Sequence, residues 1–238
     1  MKKLIILFIL FCYACNGTVS SGQKTIQHTV HAEPGITLEP QKTKSARFAF
    51  VSYNDDGDYT LLNTRQQREE MQFINDLNQE RDLLRGDVID IEWKQDTVRV
   101  AGDGDASFPA AILLSVTKVK DGKVSRFRKY HKEPLTYHWS PEYDYSQSYL
   151  DKLYLTAEYY IASSENRLLK ELIAGKSPMS YSIEQQQREG REYTVLGIGS
   201  YEEHHKVTVQ WLFYDSEKEI LYEYDLANDR LLYFDTVP

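Results

Sequence analysis

The chain contains 238 residues, carries a formal net charge of −8, and has an aromatic share of 13% that includes 18 tyrosines. This length suffices for one typical domain or two small ones. The acidic excess opposes binding to a phosphate backbone, which requires neutralising Lys and Arg side chains, so we expect no nucleic-acid partner.

The first fifteen residues have the pattern of an export signal. Met1, Lys2 and Lys3 form a basic start, and an apolar run follows from Leu4 to Phe11. Such a run is typical of a secretory signal peptide, and it is too short to span a bilayer, which takes about 20 residues.

The pair Ala14-Cys15 resembles the lipobox of bacterial lipoproteins, in which the cysteine is lipidated and becomes the new N-terminus. Cys12 stands where that motif usually has Leu, Val or Ile. The chain has two cysteines in total, so cleavage before Cys15 would leave no free thiol for an oxidising compartment. We predict a lipid-anchored protein of the cell envelope, at the outer membrane in a diderm cell; plain secretion and an uncleaved anchor are the alternatives.

Residues 16–45 have the composition of a flexible tether, with Pro34, Gly35 and Pro40 as breakers. The chain is therefore predicted to have three parts: a signal peptide (1–14), a lipidated N-terminus with its tether (15–45) and a globular domain (46–238). The globular domain could consist of two sub-lobes, 46–140 and 141–238.

The globular domain is expected to begin with a strand and a helix. Ala46–Tyr53 is largely apolar and ends in the acidic turn Asn54–Asp58. Apolar side chains at three- and four-residue spacing then predict a helix from Thr64 to Arg85. Gly86 suits the left-handed residue that closes a helix.

The next segments predict antiparallel strands. Alternating apolar residues from Val88 to Trp93 indicate a half-buried strand, and Val98 and Val100 continue the alternation after a turn predicted at Lys94–Asp96. Asp121-Gly122, between Ala110–Lys120 and Lys123–Tyr130, is a strong signal for a two-residue hairpin.

A second helical region is predicted over Ser148–Ala174, either as one helix or as two helices broken near Ser163-Ser164. Strands follow to the C-terminus, and on one of them Trp211 and Phe213 are expected in the core. The fold class is therefore α+β, with antiparallel sheets and two amphipathic helices packed on a face.

The sequence matches no known metal-binding or cofactor-binding motif. The acidic turn fails the EF-hand pattern, because its twelfth position is Arg65 and not a bidentate glutamate. A calcium site of another kind remains an alternative, with Asp55, Asp56 and Asp58 as ligands and Asp103 and Asp105 as further candidates. The prediction is that the chain has no metal centre and no cofactor.

Gly197-Ile198-Gly199-Ser200 departs from the G-x-S-x-G elbow of serine hydrolases, since Glu202 occupies the last glycine position. The glycines at 197 and 199 are better explained by another backbone or a bulky side chain approaching the strand. No catalytic residue can be named from the sequence.

The segment Tyr137–Tyr149 is rich in aromatic residues interleaved with Glu142 and Asp144. Flat aromatic faces beside carboxylates suit sugar rings, so Trp139 and Tyr143 are the candidate ligand-binding residues. The alternative is that these rings pin a long loop to the body.

The export signal, polar tether and Tyr/Asp-rich strands together resemble uncharacterised lipoproteins of Bacteroidota, and this resemblance carries no functional residues over. We expect a binding or structural role toward a protein partner or a glycan, with the membrane contacted through the lipid anchor. The alternative is an extracytoplasmic hydrolase that acts on envelope or dietary polymers.

Overall fold

A computed structural model of the chain describes residues 42–99, 107–202 and 205–235. The predicted signal peptide, Cys15 and nearly all of the predicted tether lie outside these residues, as do Asp103 and Asp105. Within the described part of the chain, no helix is both long and apolar enough to cross a membrane.

The first five strands form one sheet: β1 (Lys44–Asn54), β2 (Leu61–Gln66), β3 (Glu69–Ile74), β4 (Val88–Arg99) and β5 (Ser107–Lys120). They close into a barrel in the order β1-β2-β3-β5-β4. β3 and β5 pair in parallel through Ile74 and Ile112, whereas the other pairs are antiparallel. A five-stranded closed barrel with this strand order has the topology of an OB-fold.

Three aromatic rings fill the centre of the barrel. Phe48, Phe73 and Trp93 come from β1, β3 and β4, and each ring meets the other two edge to face at centroid distances of 5.3–5.8 Å. Edge-to-face contacts of this kind add to the free energy of apolar burial. The alternation of apolar residues along each strand thus supplies the barrel core.

The rest of the chain forms a second sheet with three helices. These elements are α1 (Lys123–Tyr130), β6 (Thr136–Trp139), α2 (Gln147–Ser163), α3 (Arg167–Ala174), β7 (Met179–Arg188), β8 (Arg191–Glu202), β9 (His205–Asp215), β10 (Ile220–Asp225) and β11 (Arg230–Phe234). The six strands follow the order β11-β10-β9-β8-β7-β6. β6 pairs with β7 in parallel, and the remaining pairs are antiparallel.

The helices α2 and α3 share one apolar cluster with the sheet. Leu153 and Leu169 from the helices are fully buried beside Ile183 and Leu196 from the strands. The two helices are separated as the sequence predicted: α2 ends at Ser163, and Asn166 begins α3 by accepting a hydrogen bond from the Leu169 N–H. The structure is thus α+β with sheets rich in antiparallel pairs, as expected.

The helix predicted over Thr64–Arg85 is wrong. This region holds the β2–β3 hairpin, which turns at Gln67 with a positive φ of 57°. Leu77, one of the apolar side chains at helical spacing in this segment, is 77% exposed, whereas Leu62 and Phe73 are fully buried inside the barrel. Pairing of β3 with β5, about forty residues away, overrides the local helical spacing.

The hairpin predicted at Asp121-Gly122 is also wrong, because helix α1 begins there. Gly122 has a φ of −73°, and a type I′ hairpin turn would require positive values. Val124 and Phe127 turn one face of α1 inward and are buried.

The core position expected for Phe213 is confirmed, whereas Trp211 is buried only in part. A bulge between Ile198 and Gly199 leaves Val209 out of the strand pairing, so side-chain alternation on β9 changes face at that point. Phe213 is buried on the face opposite the helices, and Trp211 beside it is partly exposed.

Candidate functional site

Two stacks of aromatic rings meet at the edge of the second sheet. In the first stack, Tyr137 lies over Tyr181 at 5.3 Å and 23°, and Trp139 lies over Tyr137 at 5.9 Å and 19°. Tyr181 is fully buried, whereas Trp139 is 36% exposed. The stack therefore runs from the core on β7 to the surface on β6.

The second stack comes from the loop between β6 and α2. Tyr145 is stacked on Tyr149 at 5.8 Å, and Tyr143 is stacked on Tyr145 at 6.1 Å. The hydroxyls of the inner rings are held, since the Gln185 side-chain amide donates to Tyr145 and Tyr149 shares a 2.7 Å hydrogen bond with Thr194. The inner tyrosines thus fix the loop to the sheet.

The outer rings of the two stacks are joined to each other. Trp139 donates its indole N–H to the backbone oxygen of Tyr143 over 3.1 Å, which fixes the orientation of the indole plane. Tyr143 is 39% exposed, and the carboxyl side chains of Glu142 and Asp144 are exposed beside it. We call Trp139, Tyr143, Glu142 and Asp144 the aromatic edge.

The structure brings together the two candidate binding residues that the sequence singled out. The inner rings Tyr137, Tyr145 and Tyr149 are partly buried and pin the loop, while Trp139 and Tyr143 end the stacks at the surface. Both interpretations of the segment therefore have a structural counterpart, in different members of the same stacks.

A second aromatic cluster was found only in part by the sequence analysis, which placed Trp211 and Phe213 in the core. It lies on the sheet face opposite the helices, where Tyr193 and Phe213 are buried and Trp211, Tyr222 and Tyr224 pack against them partly exposed. Phe213 meets Tyr193 at 5.6 Å and Tyr224 at 5.4 Å. The signal that could have revealed it is the run of large aromatic residues at alternate positions on β9 and β10, which matches a sheet face as well as a core.

The barrel carries a groove of about 590 Å³ on the side of β2, β3 and β5. Tyr59, Met71 and Phe108 contribute apolar surface, and Gln72 and Gln95 contribute amides. The groove adjoins the β1–β2 loop, a region through which OB-fold barrels contact their ligands.

The most deeply buried carboxylates each have their own partners. Glu158 accepts a bidentate pair of hydrogen bonds from Arg128 at 2.6 and 2.7 Å, which joins α2 to α1. Asp215 accepts from the Lys218 backbone N–H across the β9–β10 turn. Neither carboxyl lines this groove.

Asp87 is the third buried carboxylate, and it makes three hydrogen bonds and one ion pair. Oδ1 accepts from the Gly122 N–H at 2.7 Å and from the Ser125 hydroxyl at 2.6 Å. Oδ2 accepts from the Leu84 N–H at 2.9 Å and pairs with the Lys118 ammonium at 2.8 Å. Burial alone would raise its pKa, but these bonds together hold the pKa of Asp87 below its ordinary value.

The acidic turn after β1 is held by local contacts. Asp55 pairs with Arg81, and the Asn54 side chain accepts from the Asp56 N–H at 2.9 Å. Within residues 42–99, 107–202 and 205–235, no group of three or more His, Cys, Asp or Glu side chains could hold a metal ion. The calcium candidates Asp103 and Asp105 lie outside these ranges.

No protein-family model matches the chain, and no curated protein sequence matches it either. Among solved structures, it is similar to the mitochondrial single-stranded DNA-binding protein Rim1 from S. cerevisiae, at 13% identity and a TM-score of 0.27 over 35% of this chain and 98% of Rim1. A second crystal form of Rim1 gives 11% identity and a TM-score of 0.26 over 35% of this chain and 98% of that one.

A further similar structure is the aspartyl-tRNA synthetase from Entamoeba histolytica, at 14% identity and a TM-score of 0.25. The match covers 66% of this chain and 47% of the synthetase, so the chain spans less than half of that enzyme's length.

The expectation that nucleic acid is excluded as a partner is corrected by these matches. By their names, one of the similar proteins binds single-stranded DNA and the other is an aspartyl-tRNA synthetase. Net charge is a sum over the whole chain, and it does not determine whether a local surface is cationic. TM-scores of 0.25–0.27 assign no ligand to this chain. A nucleic-acid ligand is therefore one of the outcomes that a binding experiment must distinguish.

Proposed function

We propose that this chain is a lipid-anchored protein of the cell envelope with a binding role, and that the aromatic edge is its ligand surface. The observation that carries the proposal is the exposure of Trp139 and Tyr143 at the ends of two stacks whose inner rings already hold the loop. The outer rings are thus available to a ligand without loss of the loop's support.

A glycan is the ligand chemistry that best fits the aromatic edge. One side of a sugar ring presents C–H groups that pack on a flat aromatic face, and its hydroxyls donate to carboxylates. Trp139 supplies the flat face, and Glu142 and Asp144 supply acceptors on the same loop. The indole is held in place by its bond to the Tyr143 backbone, which lowers the entropy lost on binding.

A binding role is favoured over the alternative of an extracytoplasmic hydrolase. Most glycosidases place two carboxyl groups about 5–9.5 Å apart across a cleft. Glu158, Asp215 and Asp87 are the buried carboxylates of the described chain, and each is bonded to a separate cation or backbone group.

The proposal is tested by a glycan array probed with the protein lacking its signal peptide. Trp139→Ala and Tyr143→Ala should each weaken binding at least about tenfold, since loss of a central aromatic contact typically costs about 2 kcal/mol or more. The matched control is Tyr233→Ala, which removes a 65% exposed tyrosine from β11 at the opposite edge of the same sheet.

Thermal unfolding of each variant accompanies the array. Lost binding with an unchanged unfolding midpoint supports the aromatic edge as the ligand surface. A lowered midpoint in both edge variants would mean that these rings are structural, and equal loss in the Tyr233 variant would place the site elsewhere.

A further inference from the structure

A second cleft, of about 470 Å³, lies where the barrel meets the helices. We infer that it binds a small organic anion that combines an apolar or aromatic body with a phosphate, sulfate or carboxylate group. This inference is independent of the aromatic edge, with which the cleft shares no residue.

The back wall of the cleft is built from two glycines in direct contact. A Cβ atom on Gly122 would lie 2.3 Å from the carbonyl carbon of Gly86, so the β5–α1 corner touches the turn before β4. The Asp87 carboxylate bonds the Gly122 N–H and the Ser125 hydroxyl and thereby locks this corner. The wall is therefore a fixed feature of the fold.

Three cationic side chains line the cleft at this corner. Lys120 ends β5, and Lys123 and Arg126 lie in the first turn of α1. All three side chains are exposed. Neither lysine forms an ion pair within 4 Å with a described residue, and Arg126 donates to the backbone oxygen of Asp121 at 2.7 Å. Three cations on one rim stand out in a chain with a net charge of −8.

Two carboxylates, those of Asp121 and Asp235, also line the cleft, and both have cationic partners other than the three rim cations. Asp121 is paired with Lys118 at 3.0 Å and also with Lys129, and these contacts lower its pKa. Asp235 is 3.7 Å from Arg65. The rim therefore retains an excess of positive charge.

Among the described residues, Glu165 is a further carboxylate that interacts with this rim. It is paired first with Lys170, and the charge of Lys123 is a smaller influence on it. Glu165 therefore forms its ion pair with Lys170 and not with Lys123.

The cleft is also lined by apolar and aromatic side chains. These side chains include Val88, Tyr159 and Phe234. The rings of Tyr159 and Phe234 meet edge to face, with their centroids 6.5 Å apart. The Arg85 guanidinium lies 5.2 Å from the centre of the Tyr159 ring. Apolar and cationic side chains lining the same cleft complement a molecule with one anionic end and one apolar end.

The size of the cleft favours a small molecule. Its volume falls within the range of about 300–1,000 Å³ that is usual for small-molecule sites. A single-stranded nucleic acid would need a groove that follows several successive phosphates, so it is treated as the competing outcome.

The test is an NMR titration of the isotope-labelled protein, without its signal peptide, with phenyl phosphate, using phenol as the uncharged counterpart. Phenyl phosphate should shift the amide signals of residues 120–126 and bind at least about tenfold more tightly than phenol. The triple variant Lys120→Gln, Lys123→Gln, Arg126→Gln should weaken that binding at least about tenfold.

A charge-matched control keeps this result specific. Lys132→Gln, Arg191→Gln, Lys218→Gln removes three exposed cations that lie outside the cleft, and it should leave the affinity within about twofold. Equal loss in both triple variants, or no loss in the first, would overturn the proposal. Binding of a dT8 oligonucleotide to these residues without binding of phenyl phosphate would overturn it in favour of nucleic acid.

Discussion

Single glycines decide how closely strands β8 and β9 approach each other. A Cβ atom on Gly197 would lie 2.7 Å from the Trp211 ring and from the Ser182 hydroxyl oxygen. On Gly199 it would lie 1.7 Å from the backbone oxygen of Val207. The sequence analysis expected a bulky side chain or another backbone at these positions, and the structure shows one of each.

These distances predict a graded series of alanine variants. Gly197→Ala should lower the free energy of unfolding by about 1–3 kcal/mol, because the indole ring must shift. Gly199→Ala should cost more, since a backbone oxygen cannot move aside without breaking the strand pairing. Chemical denaturation of the variants measures both effects.

Gly57 provides the control for this series. It has no heavy atom within 4 Å of a Cβ position and no left-handed φ, so Gly57→Ala should change stability by less than about 1 kcal/mol. If the Gly199 variant were as stable as the Gly57 variant, the close approach of β8 and β9 would be refuted.

At the scale of elements, Asp87 joins the turn before β4 to the start of α1. Its bonds reach Leu84 on one side and Gly122, Ser125 and Lys118 on the other, about 35 residues away in sequence. This carboxylate therefore fixes the corner at which the barrel meets the helices.

Asp87→Asn should destabilise the protein by about 2–4 kcal/mol near neutral pH, because Lys118 loses its buried partner and an amide cannot accept all four bonds. The pKa of Asp87 is lowered in the folded state. The carboxylate therefore contributes stability above its ordinary pKa of 3.8, and the contribution is lost as pH falls through the lower folded value.

Urea denaturation of wild type and Asp87→Asn at several pH values checks this sign. The difference between their free energies of unfolding should be constant from about pH 5 to 8 and should shrink below about pH 4. A difference that grows toward low pH would contradict the assignment.

At the scale of the whole molecule, the proposed anchor determines where the described body acts. We predict that Cys15 is acylated, because it follows the apolar run of the export signal. Labelling of cells with an alkyne fatty acid should tag the wild-type protein, and Cys15→Ala should yield unlabelled protein in the soluble fraction. Cys12→Ala is the matched control and should remain labelled; equal labelling of the Cys15 variant would disprove the prediction.

Much of the second half of the chain could be predicted from its sequence. The break near Ser163 was one of the two alternatives predicted, and strands were expected toward the C-terminus, where β11 spans Arg230–Phe234. Helix capping and side-chain alternation act within a few residues of one another, so these elements carry their own signals.

The candidate site was predicted in part for the same reason. Trp139 and Tyr143 belong to one short aromatic segment, so their proximity is legible in the sequence. Phe213 was correctly placed in the core, but the sheet face on which it lies was not identified, because alternation on a strand does not reveal which of two sheet faces is covered.

What the sequence by itself determined is therefore local: an α+β composition, the paired helices α2 and α3, and the aromatic segment that forms a surface. Closure of the barrel, the cationic cleft and the Asp87 corner were decided by the tertiary structure. Each of these depends on residues that lie 35 or more positions apart, as in the pairing of β3 with β5 through Ile74 and Ile112. Contacts at such separation are selected by the packing of the whole chain, and local spacing, as at Thr64–Arg85, can favour a different element.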